Sequence, residues 1–158
     1  MLRIGRMVNS RFAVALHVLT LLASRREEPA TSESLADSVN TNPVVIRRLL
    51  AALRAAGLVT SKGGPGGGWR LARPAAQVTM RDVLLATEGD ALFSLHPSPP
   101  NRRCPVGRTI QSALEEHFSE ARDALDRQFE RTTVQDLVRE TVATPPPAGK
   151  IAGFTFFD

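Results

Sequence analysis

Two sets of residues in this chain could do chemistry. The first is a run of cations and bare backbone: Arg47, Arg48 and Arg54, then Lys62, then five glycines within Gly63–Gly68 broken only by Pro65, then Arg70. Guanidinium forks pair with phosphate or with the O6 and N7 edge of guanine. Glycines let the backbone come close to another surface. The second is Cys104, the lone cysteine, with Arg102, Arg103 and Arg108 around it. A thiol beside cations is favoured as thiolate and is open to oxidation. Catalytic sets are missing: there is no Ser/His/Asp group and no metal-ligand pair at catalytic spacing. A triphosphate loop needs Lys-Ser or Lys-Thr after its last glycine, and a dinucleotide loop needs a helix there. Here Trp69-Arg70-Leu71 follows and reads as a strand. No enzyme activity is expected.

The elements that must position these residues are legible from caps and periodicity. Asn42 can cap a helix that Pro43 opens without leaving an N–H unpaired, and Gly57 can end it in the left-handed conformation. Val45, Leu49, Ala52, Leu53 and Ala56 recur at helical spacing, which predicts a buried face with Arg47, Arg48 and Arg54 off it. A helix with a dry face and an arginine face suits DNA reading. The glycine run joins two strand candidates, Leu58–Ser61 and Trp69–Ala72. It reads as a hairpin wing, with Lys62 and Arg70 beside it, or as an ordinary flexible hairpin. Upstream, Thr31 or Ser32 caps a short helix over 33–39, and Asn40-Thr41-Asn42 makes the turn. Short helix, tight turn and Arg-bearing helix have the spacing of a helix-turn-helix, and the hairpin makes it winged.

A first helix runs from Asn9 or Ser10 to about Ser24, with Phe12, Ala15, Leu16, Leu19, Leu22 and Ala23 on one face. Arg3, Arg6 and Arg11 before that apolar stretch resemble a signal peptide, but His17 and Thr20 interrupt the run and the downstream helices need such a partner. His17 is expected to be packed. The basic residues before the helix read as an arm near DNA or as a solvated terminus. Thr79 caps a fourth helix to about Thr87, with Asp82 closing a capping box and Gly89 ending it. Residues 96–105 hold four prolines and cannot be regular. Cys104-Pro105 is expected to open a long helix to about Phe129, with Cys104 at the cap and the helix dipole favouring its thiolate. The stripe Ile110, Leu114, Phe118, Ala121, Leu125 and Phe129 faces a partner. Glu115, Glu116, Glu120, Arg122, Asp123, Asp126 and Arg127 lie opposite. Thr133 and Asp136 cap a last short helix, 134–141. A Pro-rich breaker and a tail with three Phe, Ile151–Asp158, follow.

Charge supports this division. Residues 1–80 carry 11 Lys and Arg against 4 Asp and Glu, net +7; residues 81–158 carry 9 against 12, net −3, within an overall +4. The basic half is the one expected to meet a polyanion. One cysteine permits no internal disulfide and fits a reducing cytoplasm, and no apolar run reaches the ~20 residues of a membrane span. The fold expected is mainly α with a small β wing. A DNA-binding domain covers 1–89, a Pro-rich sensor loop 90–106, dimerisation helices 107–143 and a tail 144–158. The long helix has little to pack against, so a homodimer reading two half-sites about one helical turn apart, ~34 Å, is preferred to an intradomain role.

Asn-Thr-Asn-Pro-Val-Val-Ile-Arg-Arg-Leu-Leu at 40–50, Gly-Leu-Val at 57–59, the Gly-Gly-Pro-Gly-Gly-Gly wing and Cys-Pro-Val-Gly at 104–107 together resemble the Rrf family of bacterial winged-helix transcription regulators. The resemblance runs from about Asn9 to Glu140. It implies a homodimer, joined through the long helix, on a pseudo-palindromic double-stranded operator, with repression as the default. It implies recognition contacts at Asn42, Val44, Val45, Arg47 and Arg48 and wing contacts at Lys62, Gly64 and Gly66. Some members carry Arg where Gly63 stands here, with Lys62 before it. Arg47 and Arg48 can read guanine or simply bind phosphate.

Cluster-binding relatives carry three cysteines before the long helix, and Cys104 stands at about the last of those positions. An all-cysteine iron–sulfur cluster within one protomer is therefore excluded, and no cofactor is expected. Asp90, His96 and His117 are the nearby residues with ligand chemistry for a mixed site. The sharper expectation is a one-cysteine redox or electrophile sensor, weighed against a cysteine kept for packing. A small-molecule effector is left undefined. The alternative to a DNA-binding regulator is a winged helix that binds protein.

Overall fold

The computed structural model describes residues 10–25, 28–89 and 92–143. The basic arm before Ser10, Asn9 as a cap, Asp90 as a ligand and the Phe-bearing tail lie outside the described residues. The described chain is mainly helical: α1 (Ser10–Ser24), α2 (Ser32–Val39), α3 (Pro43–Ala55), β1 (Val59–Lys62), β2 (Gly68–Leu71), one 3-10 turn (Ala75–Gln77), α4 (Met80–Glu88), α5 (Ile110–Glu130) and α6 (Val134–Ala143).

α1 is the hub. It packs against α2, α3, β2, α4 and α6. Ala15, Val18, Leu19 and Leu22 are fully or nearly fully buried along it; that is i, i+3, i+4, i+7 spacing, one face of a helix. This sequestration in the core fits a structural helix, not a leader. His17 was expected to be packed but is exposed, with Nε2 3.2 Å from Ser38 Oγ on α2. It sits on the opposite side of α1 from the buried stripe.

α2 and α3 form the helix-turn-helix. Thr31 caps α2 by accepting from the Ser34 N–H. Asn40 takes φ +59, and its N–H closes on the carbonyls of Ala36 and Asp37. That left-handed residue turns the chain sharply into α3. Asn42 Oδ1 accepts from the Val44 N–H at 2.8 Å, with Pro43 in the first turn. Gly57, at φ +71, ends α3 and returns the chain to β1. The Leu58 N–H donates to the Leu53 carbonyl there at 2.9 Å.

The buried face of α3 is displaced from the expected one. Ile46, Leu49, Leu50 and Leu53 are the buried residues, whereas Val45 is 49% exposed and Ala56 is also exposed. Consecutive apolar pairs, Val45-Ile46 and Leu49-Leu50, make two stripes possible. The core takes the stripe with more bulk, worth about 1.5–3 kcal/mol for each large aliphatic side chain fully buried. β1 and β2 pair antiparallel, with Val59 opposite Leu71 and Lys62 opposite Gly68, each strand within a residue of its expected position.

α4 and α6 begin side by side. Thr79 and Asp82 form the expected capping box, and Thr133 and Asp136 form a second one. The two caps are bridged: Met80 N–H donates to the Thr132 carbonyl at 2.9 Å, and Val134 N–H to the Val78 carbonyl at 2.8 Å. Val134 is fully buried, and α6 lies along α1. The last helix, grouped by sequence with the long helix before it, thus completes the core of the N-terminal half. Hydrogen bonds from Thr133, first through its side chain and then through its backbone, hold the Asp136 carboxyl below its ordinary value.

The long helix starts later than the sequence suggests. Residues 102–109 are turns and a bend, and α5 begins at Ile110. Asn101 organises that stretch: its Oδ1 accepts from the Arg103 N–H and its carbonyl from the Cys104 N–H. A Cβ on Gly107 would collide with the Asn101 carbonyl, so glycine alone allows the chain to curl there. Cys104 therefore does not occupy the cap of α5, a position taken by Thr109.

Candidate nucleic-acid interface

Asn42, Val44, Val45, Arg47 and Arg48 fall on or beside the first turns of α3, and all five are exposed. Their roles differ. Asn42 commits its carboxamide oxygen to the cap, leaving the amide NH2 for outside contacts. Val44 and Val45 are 46% and 49% exposed, large apolar groups that the core does not claim. Arg47 pairs with Glu33 in the first turn of α2. A backbone hydrogen bond at Glu33, then the Arg47 guanidinium, keeps the Glu33 carboxyl below its ordinary value. Sequence reasoning missed Glu33: its acidic character in a first turn was visible, but its reach across the helix-turn-helix was not. The pair is exposed on both sides, so it orients Arg47 more than it stabilises the fold. Arg48 pairs with no described residue.

The wing is bare and open. Gly64 and Gly66 have φ +83 and +73, are exposed, and have open space where a Cβ would stand. The Gly67 N–H donates to the Gly64 carbonyl at 3.0 Å and closes the tip. Lys62 ends β1 and is exposed. Arg70 lies opposite Thr60, both exposed, while Trp69 and Leu71 turn inward. At the wing base, Arg73 Nη2 reaches Asp82 Oδ2 at 2.9 Å, the oxygen that also accepts from the Thr79 N–H at 3.0 Å. The second strand is thereby tied to the cap of α4. Arg54, expected on the arginine face, is exposed at the C-terminal end of α3 and stands over the Trp69 ring.

α5 presents another surface. Ile110, Leu114, Phe118, Leu125 and Phe129 are half-buried, Ala121 is exposed, and no residue of α5 is fully buried. Phe129 meets Phe12 of α1 with ring centroids 5.5 Å apart, and Phe118 stacks on Phe93 at 5.0 Å. Arg122 and Asp126, expected on the outer face, are largely covered, with side chains 14% and 16% exposed. Arg81 of α4 draws them in, its Nε 3.1 Å from Asp126 Oδ2. Desolvation alone would raise the Asp126 carboxyl; hydrogen bonds from Arg81 and Arg122 outweigh it and hold that carboxyl below its ordinary value.

Cys104 is a free, exposed thiol in the turns before α5. Among the described residues no three His, Cys, Asp or Glu side chains converge as a metal site. No described helix is long and apolar enough to cross a membrane.

The family model described as Rrf2, iron-dependent transcriptional regulator, matches residues 8–140. YwnA of Bacillus subtilis (strain 168) is 39% identical over 133 residues, 84% of this chain and 97% of that protein. The solved structure of CymR (YrzC), the global cysteine regulator of B. subtilis, superposes with a TM-score of 0.64 at 26% identity, covering 89% of this chain and 98% of that one. IscR of T. potens shares the fold, with a TM-score of 0.65 at 21% identity over 85% of this chain and 87% of its own. Helix-turn-helix, glycine wing and long helix, with a match over most of the length, make this chain a member of the Rrf2 family of transcription regulators.

Proposed function

We propose that the chain is a homodimeric, sequence-specific DNA-binding regulator acting as a repressor, with α3 in the major groove and the wing on the adjacent minor groove. One observation carries this reading. α3 spends one face entirely on the core and leaves the other, with Val44, Val45, Arg47 and Arg48, to solvent beside its N-terminus. Guanidinium forks and apolar groups on the first turns of such a helix are the chemistry that reads guanine edges and thymine methyls. Lys62, the glycines at 64 and 66 and Arg70 supply charge and close backbone approach for the neighbouring groove.

The half-buried stripe of α5 supports the homodimer. Apolar side chains on a 21-residue helix with none fully buried leave surface for a second copy. Two recognition helices then bind two half-sites, and affinity multiplies without new contacts. Cys104 is the candidate point of control. Its thiol is exposed on the segment leading into that stripe, so oxidation or alkylation there would act on the dimer. Helix-dipole activation is not part of this reading, since α5 starts at Ile110.

The test is a titration of labelled DNA from the region upstream of the chain's own coding sequence, across salt and with or without peroxide. Selective binding that falls steeply with salt is expected, because each neutralised phosphate releases counterions. Loss of binding on oxidation that Cys104→Ser abolishes would establish the thiol as the sensor. The same loss in Cys104→Ser would remove it from that role. No selective binding at any salt would put the protein-interaction reading ahead.

A further inference from the structure

Above the shared core, a side-chain pair joins the recognition helix to the wing. Arg54 lies in the last turn of α3, and its guanidinium carbon is 5.7 Å from the centroid of the Trp69 ring. That is within the ~6 Å over which a cation is held by an aromatic face, and indole is the strongest such face. Among the described residues Arg54 pairs with no carboxylate, so the ring is its partner there.

Trp69 is itself fixed. Its N–H donates to the Ala30 carbonyl at 2.8 Å, and its own carbonyl accepts from the Ala30 N–H at 3.0 Å. Both backbone polar groups of Trp69 therefore turn away from β1. Its pairing with Ser61 is of the non-hydrogen-bonded kind, in which side chains come closest. Gly68 makes the approach to Ala30 possible. At φ +142, a Cβ there would stand 2.8 Å from the Ala30 carbonyl oxygen. The indole is thus anchored by backbone to the segment before α2, half-buried against the core, and capped by a cation from the end of α3.

Building on the DNA-binding reading above, we propose that Arg54 is a positioning residue: stacked on Trp69, it sets the angle between the recognition helix and the wing, and acts on DNA through the wing rather than by neutralising a phosphate. Backbone bonds already join the two elements at Leu58 and Ala72. Arg54 adds a side-chain contact across that junction, so its effect is graded rather than all-or-none.

Trp69 is the sole tryptophan, so its fluorescence reports this contact directly. The experiment compares wild type, R54A, W69F and R54A/W69F, with K62A as the example of a lost direct wing charge, for which a shallower salt slope and unchanged quenching are expected. Acrylamide quenching is read on free wild type, R54A and K62A, which keep the tryptophan; for all the proteins melting curves confirm folding and operator affinity is measured at several salt concentrations. W69F keeps an aromatic ring in the wing base while weakening the cation contact, so it serves even if larger changes there fail to fold.

In R54A, Trp69 should become more accessible to quencher. Operator affinity should fall about 2- to 5-fold, the range of a partly exposed cation–ring contact. The salt slope should match that of wild type. R54A should cost less in the W69F background than alone, the non-additivity expected of residues that act through each other. A slope reduced by about 0.9 per phosphate lost, with costs that add, would make Arg54 a direct phosphate contact and overturn the proposal. Unchanged quenching would overturn it too. A wild type that binds no operator selectively defeats the DNA reading and this role with it; selective binding with a changed slope in R54A defeats this role alone.

Discussion

α3 and α5 both carry an apolar stripe and charged residues, yet they use them in opposite ways. In α3 the stripe is consumed: Ile46, Leu49, Leu50 and Leu53 are all at 2% exposure or less. In α5 nothing is fully buried, and its firmest internal anchor is polar, the Arg81–Asp126–Arg122 cluster. A helix whose dry face is satisfied within its own chain has only its polar face to offer. A helix whose dry face is half-satisfied keeps part of that face uncovered. Under the proposed function, this difference is what assigns reading to α3 and assembly to α5.

The comparison breaks if α5 turns out to be self-sufficient. Phe118→Glu puts a charge in the middle of its stripe. Sedimentation should show monomers, and operator affinity should fall by about 10²- to 10⁴-fold as the two-site advantage is lost. A monodisperse dimer with unchanged affinity would assign that stripe to the monomer core.

Next in size is the test on α3. Leu50→Ala removes a fully buried side chain and should cost about 2–5 kcal/mol in denaturant unfolding. Arg48→Ala, on the opposite face, should leave the unfolding midpoint within error and weaken the operator. The loss should be about 1–3 kcal/mol and selective for sequence if Arg48 reads a base edge, or uniform across sequences with a shallower salt slope if it binds phosphate.

The smallest effect concerns the polar anchor of α5. Asp126 is held below its ordinary value of 3.8, so folding favours the ionised form. Its contribution is whole above that value and drains away as pH falls through the lower folded value. Denaturant midpoints of wild type and Asp126→Asn should therefore differ near neutral pH and converge in acid. A difference that persists in acid would show that the cluster stabilises by packing instead of charge.

The caps were legible because they are local. Asn42-Pro43, Thr79 with Asp82 and Thr133 with Asp136 each sit within four residues of the N–H groups they satisfy. The wing was legible because five glycines in six residues leave few other readings. What failed was phase and distance. Val45 and Ile46 are chemically alike, and only the facing core chooses between them. Arg122 and Asp126 read as part of the face opposite the stripe until Arg81 arrives from another helix. The start of α5 was misplaced because Cys104-Pro105 has good cap chemistry, while the closeness of Gly107 to Asn101 is a matter of three dimensions. At the interface, the Arg47–Glu33 and Arg54–Trp69 pairs each join residues far apart in sequence, and no spacing rule connects them.

The bridge between the caps of α4 and α6 bears on how the molecule is made. Val134 fills the core beside Val78 and Val83, and its N–H is hydrogen-bonded to the Val78 carbonyl. Synthesis runs from the N-terminus, and a core closes only when its last piece has left the ribosome. The helix-turn-helix and wing are finished by residue 71, but their hydrophobic cluster stays open until residue 134 has emerged, and all of α5 lies between. Each new chain therefore has all of α5 made before the core under α3 is closed. On the proposed DNA-binding reading, a nascent chain stalled short of α6 would carry α3 on an incomplete scaffold and would compete poorly with finished copies for DNA.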